Sequence, residues 1–212
     1  MGNPVLILGA SPLGELALDI FNSNQIIVYG FLDDNPKLKG TEINFVPVLS
    51  DTEDHGYLKL IGKKCEAFVA VDDNKVRKHL IKMLLEKYKY VPINAIHAQA
   101  QLAANITLGH GNFINMGVIL NTNVQIGSHV ILYAGALIDY KARIGDFVQI
   151  GARAVIGAEV EIEQDAFIGA GAVLVAGIKV GRNARIGAGS VVIQNVEENS
   201  TVFGNPAQAV KK

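Results

Sequence analysis

From Ile96 to Val192 every sixth residue is aliphatic, seventeen positions without a break. Four residues after each comes a small or branched side chain, such as Val118, Val124, Val130, Ala136, Ala142, Val148 or Ala154, with Asn112 the one clear exception. In eight of these hexads glycine directly follows the aliphatic residue. Helices repeat near 3.6 residues and strands at 2, so a strict period of six fits short strands bent at regular corners. One aliphatic side chain per hexad then points inward, the small residue sits beside it, and glycine or asparagine serves the turn. Three hexads make a triangular coil of eighteen residues, and stacked coils bury a continuous aliphatic column.

The first 95 residues follow a different pattern. The apolar run 5–8 reads as a strand ending in Gly9-Ala-Ser-Pro-Leu-Gly14, and 15–21 as a helix. Residues 26–32 read as a second strand ending in Asp33 and Asp34, and 67–71 as a third. Residues 74–88 form an amphipathic helix with Val76, Leu80, Met83 and Leu84 inward. Strands alternating with helices predict a parallel sheet with crossover helices. Two domains follow: an α/β Rossmann-like unit over 1–95 and a repeat unit with a C-terminal cap over 96–212.

Glycines at a strand-to-helix junction suit an anion site, because N–H groups at the helix start point outward and small residues admit a diphosphate. Asp33 and Asp34, at the end of the next strand, suit ribose hydroxyls or a base N–H. A nicotinamide dinucleotide competes for this reading. Against it stand the missing middle glycine of that fingerprint, the small number of strands and the repeat unit that follows.

Half of the 212 residues are hydrophobic, enough for two cores, and the net charge of −1 argues against nucleic acid or an anionic membrane as a partner. The single Cys65 excludes an intrachain disulfide, and no cysteine–histidine spacing reads as a zinc site, so no metal is expected. The apolar stretch at 5–8 is too short for a signal or a membrane span, which makes a cytoplasmic location the expectation. Lys63, Lys64, Lys211 and Lys212 read as solvated charges. His110 and His129 sit within hexads and are expected to be solvated corner residues, the alternative being that they line a groove between copies of the chain.

Taken together, Gly9-Ala-Ser-Pro-Leu-Gly14, Phe31-Leu-Asp-Asp34, Val71-Asp-Asp-Asn74, Ile144-Gly-Asp-Phe-Val-Gln-Ile150, Phe167-Ile-Gly-Ala-Gly-Ala172, Ile186-Gly-Ala-Gly-Ser190 and Gly204-Asn-Pro-Ala207 carry a resemblance over nearly the whole chain. The chain resembles the bacterial sugar-nucleotide acyltransferases: the bacillosamine and perosamine N-acetyltransferases and their sialic acid O-acetyltransferase-like relatives. The resemblance implies that the repeat unit is a left-handed parallel β-helix and the protein a homotrimer. Acetyl-coenzyme A then lies in the groove between neighbouring β-helices, and the N-terminal domain holds a nucleotide-linked amino sugar. Carried over by position, the sugar-nucleotide contacts fall on Ser11, Pro12, Leu13, Asp33, Asp34, Val71 and Asn74. The acetyl-coenzyme A contacts fall on Gln149, Gly169, Ala170, Gly187 and Ala188.

The chain departs from the family where the chemistry resides. The family reads Asp-His-Asp or Glu-His-Glu just before the Ile-Gly-Asp-Phe stretch, and this chain reads Asp139-Tyr140-Lys141. Tyr140 therefore occupies the catalytic histidine position, and Gln149 that of a second histidine near the thioester. A tyrosine hydroxyl ordinarily ionises near ~10 and is a poor base at neutral pH. Three readings follow: direct attack by a free amine, a Tyr140 activated by Lys141 if both face one corner, or a binding subunit without turnover.

Overall fold

The computed structural model describes residues 2–210; Lys211 and Lys212 lie outside the described residues. The backbone divides into two units, Met1–Ala98 and Gln99–Lys212.

In the first unit the apolar run becomes strand β1 (Val5–Leu8), buried at all four positions as a central parallel strand should be. It is followed by α1 (Pro12–Ser23) and β2 (Val28–Leu32). Next come β3 (Glu42–Ile43), β4 (Val46–Ser50), the short α2 (His55–Leu58), β5 (Glu66–Val69) and α3 (Asn74–Tyr88). The sheet order is β3-β4-β2-β1-β5, parallel except for the β3–β4 hairpin. The C-terminal ends of β1, β2 and β5 therefore open side by side, where α/β sheets place ligands. Helix α1 begins earlier than its apolar pattern shows, because Pro12 presets the first helical residue.

Helix α3 matches its expected span, but one of its expected inward positions is wrong. Val76 is 45 % exposed, and the buried stripe is Arg77, Leu80, Ile81, Met83 and Leu84. The spacing 77, 80, 81, 84 is the ordinary one-face pattern, with a cation standing in it. The helix is capped by Asp73, whose carboxylate accepts the N–H groups of Lys75 (2.7 Å) and Val76 (3.0 Å). Those two donors hold the Asp73 carboxyl below its ordinary range. A depressed native value means the cap stabilises at pH values above the unfolded carboxyl's ~3.9 and is lost as pH falls through the lower native value. Thermal melts of wild type and Asp73→Ala should therefore differ at pH 7 and converge in acid.

In the second unit the expected coils appear as three parallel sheets. The first runs through Gln101–Leu102, Ile119–Leu120, Leu137–Ile138, Val155–Ile156, Val173–Leu174 and Val191–Val192. The second runs through Thr107–Leu108, Gln125–Ile126, Arg143–Ile144, Glu161–Ile162 and Lys179–Val180. The third includes Phe113–Ile114, Ile131–Leu132, Gln149–Ile150, Phe167–Ile168 and Arg185–Ile186, and closes on the hairpin Thr201–Gly204 and Ala207–Ala209. Each residue pairs with the one eighteen further on, as Leu132 with Ile150 and Ile150 with Ile168, until the last coil, where Ile186 pairs with Val202. From Ile114 to Val192 the inward aliphatic residues are at most 3 % exposed. This is the left-handed parallel β-helix.

Four-residue turns form the edges of the prism, and their third residue takes a left-handed conformation in column after column: Asn123, Lys141, Glu159 and Gly177 on one edge, Gly117, Gly135, Arg153, Gly171 and Gly189 on another. The eight glycines that follow aliphatic residues stand at the first turn position. A Cβ added to Gly169 would meet the backbone N of Ala188 at 2.4 Å, so close stacking of the coils requires the missing side chain.

Among the described residues no helix is long and apolar enough to cross a membrane. Nor does any group of three or more histidine, cysteine, aspartate or glutamate side chains there lie where it would hold a metal ion.

Candidate functional site

A cavity of about 350 Å³ opens at the C-terminal ends of β1, β2 and β5. Ser11, Asp33, Asp34 and Val71 line it together, and Val76 and Leu80 supply an apolar wall. Gly9 has φ +110°, and a Cβ there would meet the carbonyl oxygen of Ala70 at 2.4 Å; at Gly14 a Cβ would meet the Gly9 oxygen at 2.3 Å. Both glycines are thus required for the loop to lie against its neighbour.

The two aspartates brace loops as well as lining the cavity. Asp33 accepts the N–H of Ala10 (2.7 Å) through one oxygen and that of Asn35 (2.8 Å) through the other. One oxygen of Asp34 accepts both the N–H (2.9 Å) and the hydroxyl (2.7 Å) of Thr52. Each carboxylate retains further acceptor capacity toward a hydroxyl or N–H. Leu13 is 2 % exposed and packed in the core, so only its backbone N–H faces the start of α1. Pro12 is exposed, and Asn74 opens α3 with its side-chain oxygen accepting from Arg77.

Sequence reasoning missed Thr52 and Arg77. Nothing in the sequence around Thr52 marks it, because Pro47 obscures the preceding strand. Arg77 did leave a signal: a charged residue on the apolar stripe of a helix, where such a residue is seldom buried unless paired.

In the β-helix the expected residues occupy different edges. Tyr140 is 40 % exposed and stands second in the turn Asp139-Tyr140-Lys141-Ala142, on the edge joining the first and second sheets. Thr122, Ala158 and Ala176 occupy the same turn position in neighbouring coils, so the tyrosine ring is the one large group in that column. Asp139 fixes the turn by accepting the N–H of Tyr140 (2.7 Å) and the side-chain amide of Asn121 (2.8 Å). The Lys141 ammonium lies 5.0 Å from the centre of the Tyr140 ring and 3.8 Å from the carboxylate of Glu159. It therefore sits over the ring face and has an anionic partner of its own.

Gln149 is half-buried on the outward face of the third sheet, between Ile131 and Phe167. Gly169, Ala170, Gly187 and Ala188 lie on the edge joining the third sheet to the first, with Gly151 and Ala152 above them. The N–H groups of Ala170 and Ala188 donate to no group among the described residues, and both alanines are exposed. A chain of acceptors lying along this edge would find those donors pointing at it. Tyr140 is on a different edge, so one copy of the prism does not bring it beside the Ala170–Ala188 edge.

His129 departs from expectation. It is 9 % exposed and stacks on Phe147 with ring centres 5.0 Å apart. Gly111 leaves the room: a Cβ there would meet the imidazole at 2.3 Å. The turn histidine is buried because the neighbouring coils offer one absent side chain and one aromatic face. His110 is exposed, as expected.

A family described as the PglD N-terminal domain matches residues 4–84, and one described as the bacterial transferase hexapeptide (six repeats) matches residues 141–174 and 159–194. No curated protein sequence matches the chain. PerB from Caulobacter crescentus, solved in complex with CoA and GDP-perosamine, is 26 % identical over 100 % of this chain and 99 % of that one, with a TM-score of 0.89. WeeI from Acinetobacter baumannii is 26 % identical over 98 % and 99 % of the two chains, with a TM-score of 0.83. The acetyltransferase domain of PglB from Neisseria gonorrhoeae, in complex with acetyl coenzyme A, shares the fold at 23 % identity over 99 % and 100 %, with a TM-score of 0.89.

Proposed function

The chain belongs to the sugar-nucleotide acetyltransferase family, and from that premise we propose that it transfers an acetyl group from acetyl-coenzyme A to the amino group of a nucleotide-linked sugar in the cytoplasm. The observation that carries this is the end-to-end match, over both units, to a structure holding CoA and a nucleotide amino sugar. The cavity around Ser11, Asp33, Asp34 and Val71 receives the nucleotide, with the N–H groups at the start of α1 toward the diphosphate. The edge at Gly169, Ala170, Gly187 and Ala188, with Gln149 beside it, receives acetyl-coenzyme A.

The protein acts as a homotrimer in this reading. Tyr140 and the Ala170–Ala188 edge meet only when one subunit's edge faces another's. The outward positions Ile119, Leu137, Val155, Val173 and Val191 form an aliphatic column on the first sheet that suits such burial.

In the reaction the unprotonated amine attacks the thioester carbonyl, the tetrahedral intermediate expels the coenzyme A thiolate, and the ammonium proton leaves to water. Positioning and backbone donors supply most of the acceleration. With neither family histidine present, Tyr140 serves as a wall rather than a base. Tyr140→Phe should therefore lose less than about tenfold in kcat, whereas removal of an acting general base would cost on the order of 10²–10⁴.

The same two positions favour a second reading, a binding subunit that holds both ligands without turnover. Release of free thiol from acetyl-coenzyme A with a panel of UDP-, GDP- and dTDP-linked amino sugars separates the two. Turnover with any member supports transfer; tight binding without thiol release supports the subunit.

A further inference from the structure

We propose that Arg77 is a positioning residue of the sugar-nucleotide site, holding the loop after β5 as a preformed rim; this rests on the assignment of that cavity to the nucleotide. Arg77 is 2 % exposed. One terminal nitrogen of its guanidinium donates to the carbonyls of Val71 (2.7 Å) and Asp72 (3.3 Å), and the other to the side-chain oxygen of Asn74. The three acceptors are two carbonyls of the loop after β5 and the side chain of the first residue of α3. A planar fork with fixed donor directions suits such a set, and a lysine ammonium does not reproduce it.

The loop is also fixed from its other side. The Ser11 hydroxyl donates to the Ala70 carbonyl (3.4 Å), and Gly9 lies so close to that carbonyl that no Cβ fits between them. The other three loops of the cavity are tied to one another: Asp33, after β2, to Ala10, after β1, and Asp34 to Thr52, after β4. Arg77 latches the loop after β5, from beneath, without reaching the cavity lining itself. All four loops are thereby ordered before a ligand arrives, and a ligand then binds without the cost of ordering them.

The test uses the full chain and the variant Arg77→Lys, which keeps the charge and most of the stem. Calorimetric titration with UDP, GDP and dTDP should show the variant binding the wild type's preferred diphosphate about tenfold or more weakly, the effect of losing one charge-assisted hydrogen bond. The KM for the sugar nucleotide should rise by the same factor while the KM for acetyl-coenzyme A stays unchanged. Equal affinity in variant and wild type overturns the role of Arg77 and leaves the nucleotide assignment standing. Equal rises in both KM values overturn it too, because a general loss of structure would do that. A wild type that binds none of the three diphosphates overturns the nucleotide assignment and this proposal with it. Hydrogen exchange on the wild type gives a check that needs no variant: the Arg77 guanidinium N–H protons, which make these bonds, should exchange slowly before any nucleotide is added, and rapid exchange there overturns the latch.

Discussion

Replacing Tyr140 and Gln149 together by histidine is expected to raise the rate of acetyl transfer by on the order of 10²–10⁴, the contribution of a well-placed general base. The Tyr140 turn is set by backbone and by Asp139, which accepts from the residue-140 N–H whatever side chain follows. An imidazole at 140 would thus project from the same edge. Lys141 is engaged with Glu159 and need not oppose it. At 149 the side chain points outward from a strand whose neighbours at 131 and 167 leave it half-buried, so histidine enters without disturbing the inward column. Steady-state kinetics of thiol release on the single and double variants would measure this. A gain shows an assembled site that lacks only its base; a double variant no faster than wild type means that the amine, the thioester or both lie elsewhere.

Asn112→Val should destabilise the β-helix by about 2–4 kcal/mol, even though valine occupies the equivalent position in several other hexads. Asn112 is fully buried. Its side-chain nitrogen donates to the Gly127 carbonyl (3.0 Å) and its oxygen accepts the Val130 N–H (2.7 Å). Gly127 and Val130 are the first and last residues of one turn. In the turn 151–154 the equivalent groups bond each other, as Ala154 N–H donates to Gly151 O at 3.2 Å. The Asn112 amide is inserted between the two ends of the turn 127–130. Valine fills the space and leaves a buried donor at Val130 and a half-buried acceptor at Gly127 unsatisfied, each costing about 1–3 kcal/mol with the acceptor toward the lower end. Urea unfolding would read the difference, and a loss below about 1 kcal/mol would show the turn closing onto its own hydrogen bond.

The β-helix was legible from one period because its inward column depends on residue type alone, and Ile114 through Val192 are buried as that period requires. Asn112, the single break in the small-residue series, marked a real local difference whose partners lie one coil away and so leave no adjacent trace. In the N-terminal unit β1 and α3 followed from local patterns. The β3–β4 hairpin did not, because Pro47 interrupts the apolar run and the turn at Asn44 and Phe45 uses positive φ without glycine. His129 read as solvated because burial of a turn residue is decided by Gly111 and Phe147, each eighteen positions away. Arg77 was visible as a charge on an apolar stripe, yet its three acceptors appear only once the loop after β5 is folded over it. The expected contacts at Ser11, Asp33, Asp34 and Val71 do share one cavity, whereas those at 140 and at 169–188 are separated onto different edges by the turn count between them.

The eighteen-residue coil also acts as a molecular ruler. Each coil advances the chain by one strand spacing, about 4.8 Å, and returns it to the same edge. Inserting or deleting one whole coil between Tyr140 and the hairpin at 201–209 would lengthen or shorten the edge by that step without turning any residue onto a different face. Reach along the prism therefore changes only in whole increments, while the facing of each side chain is kept. A chain built this way can be refitted to a longer or shorter ligand without being refolded.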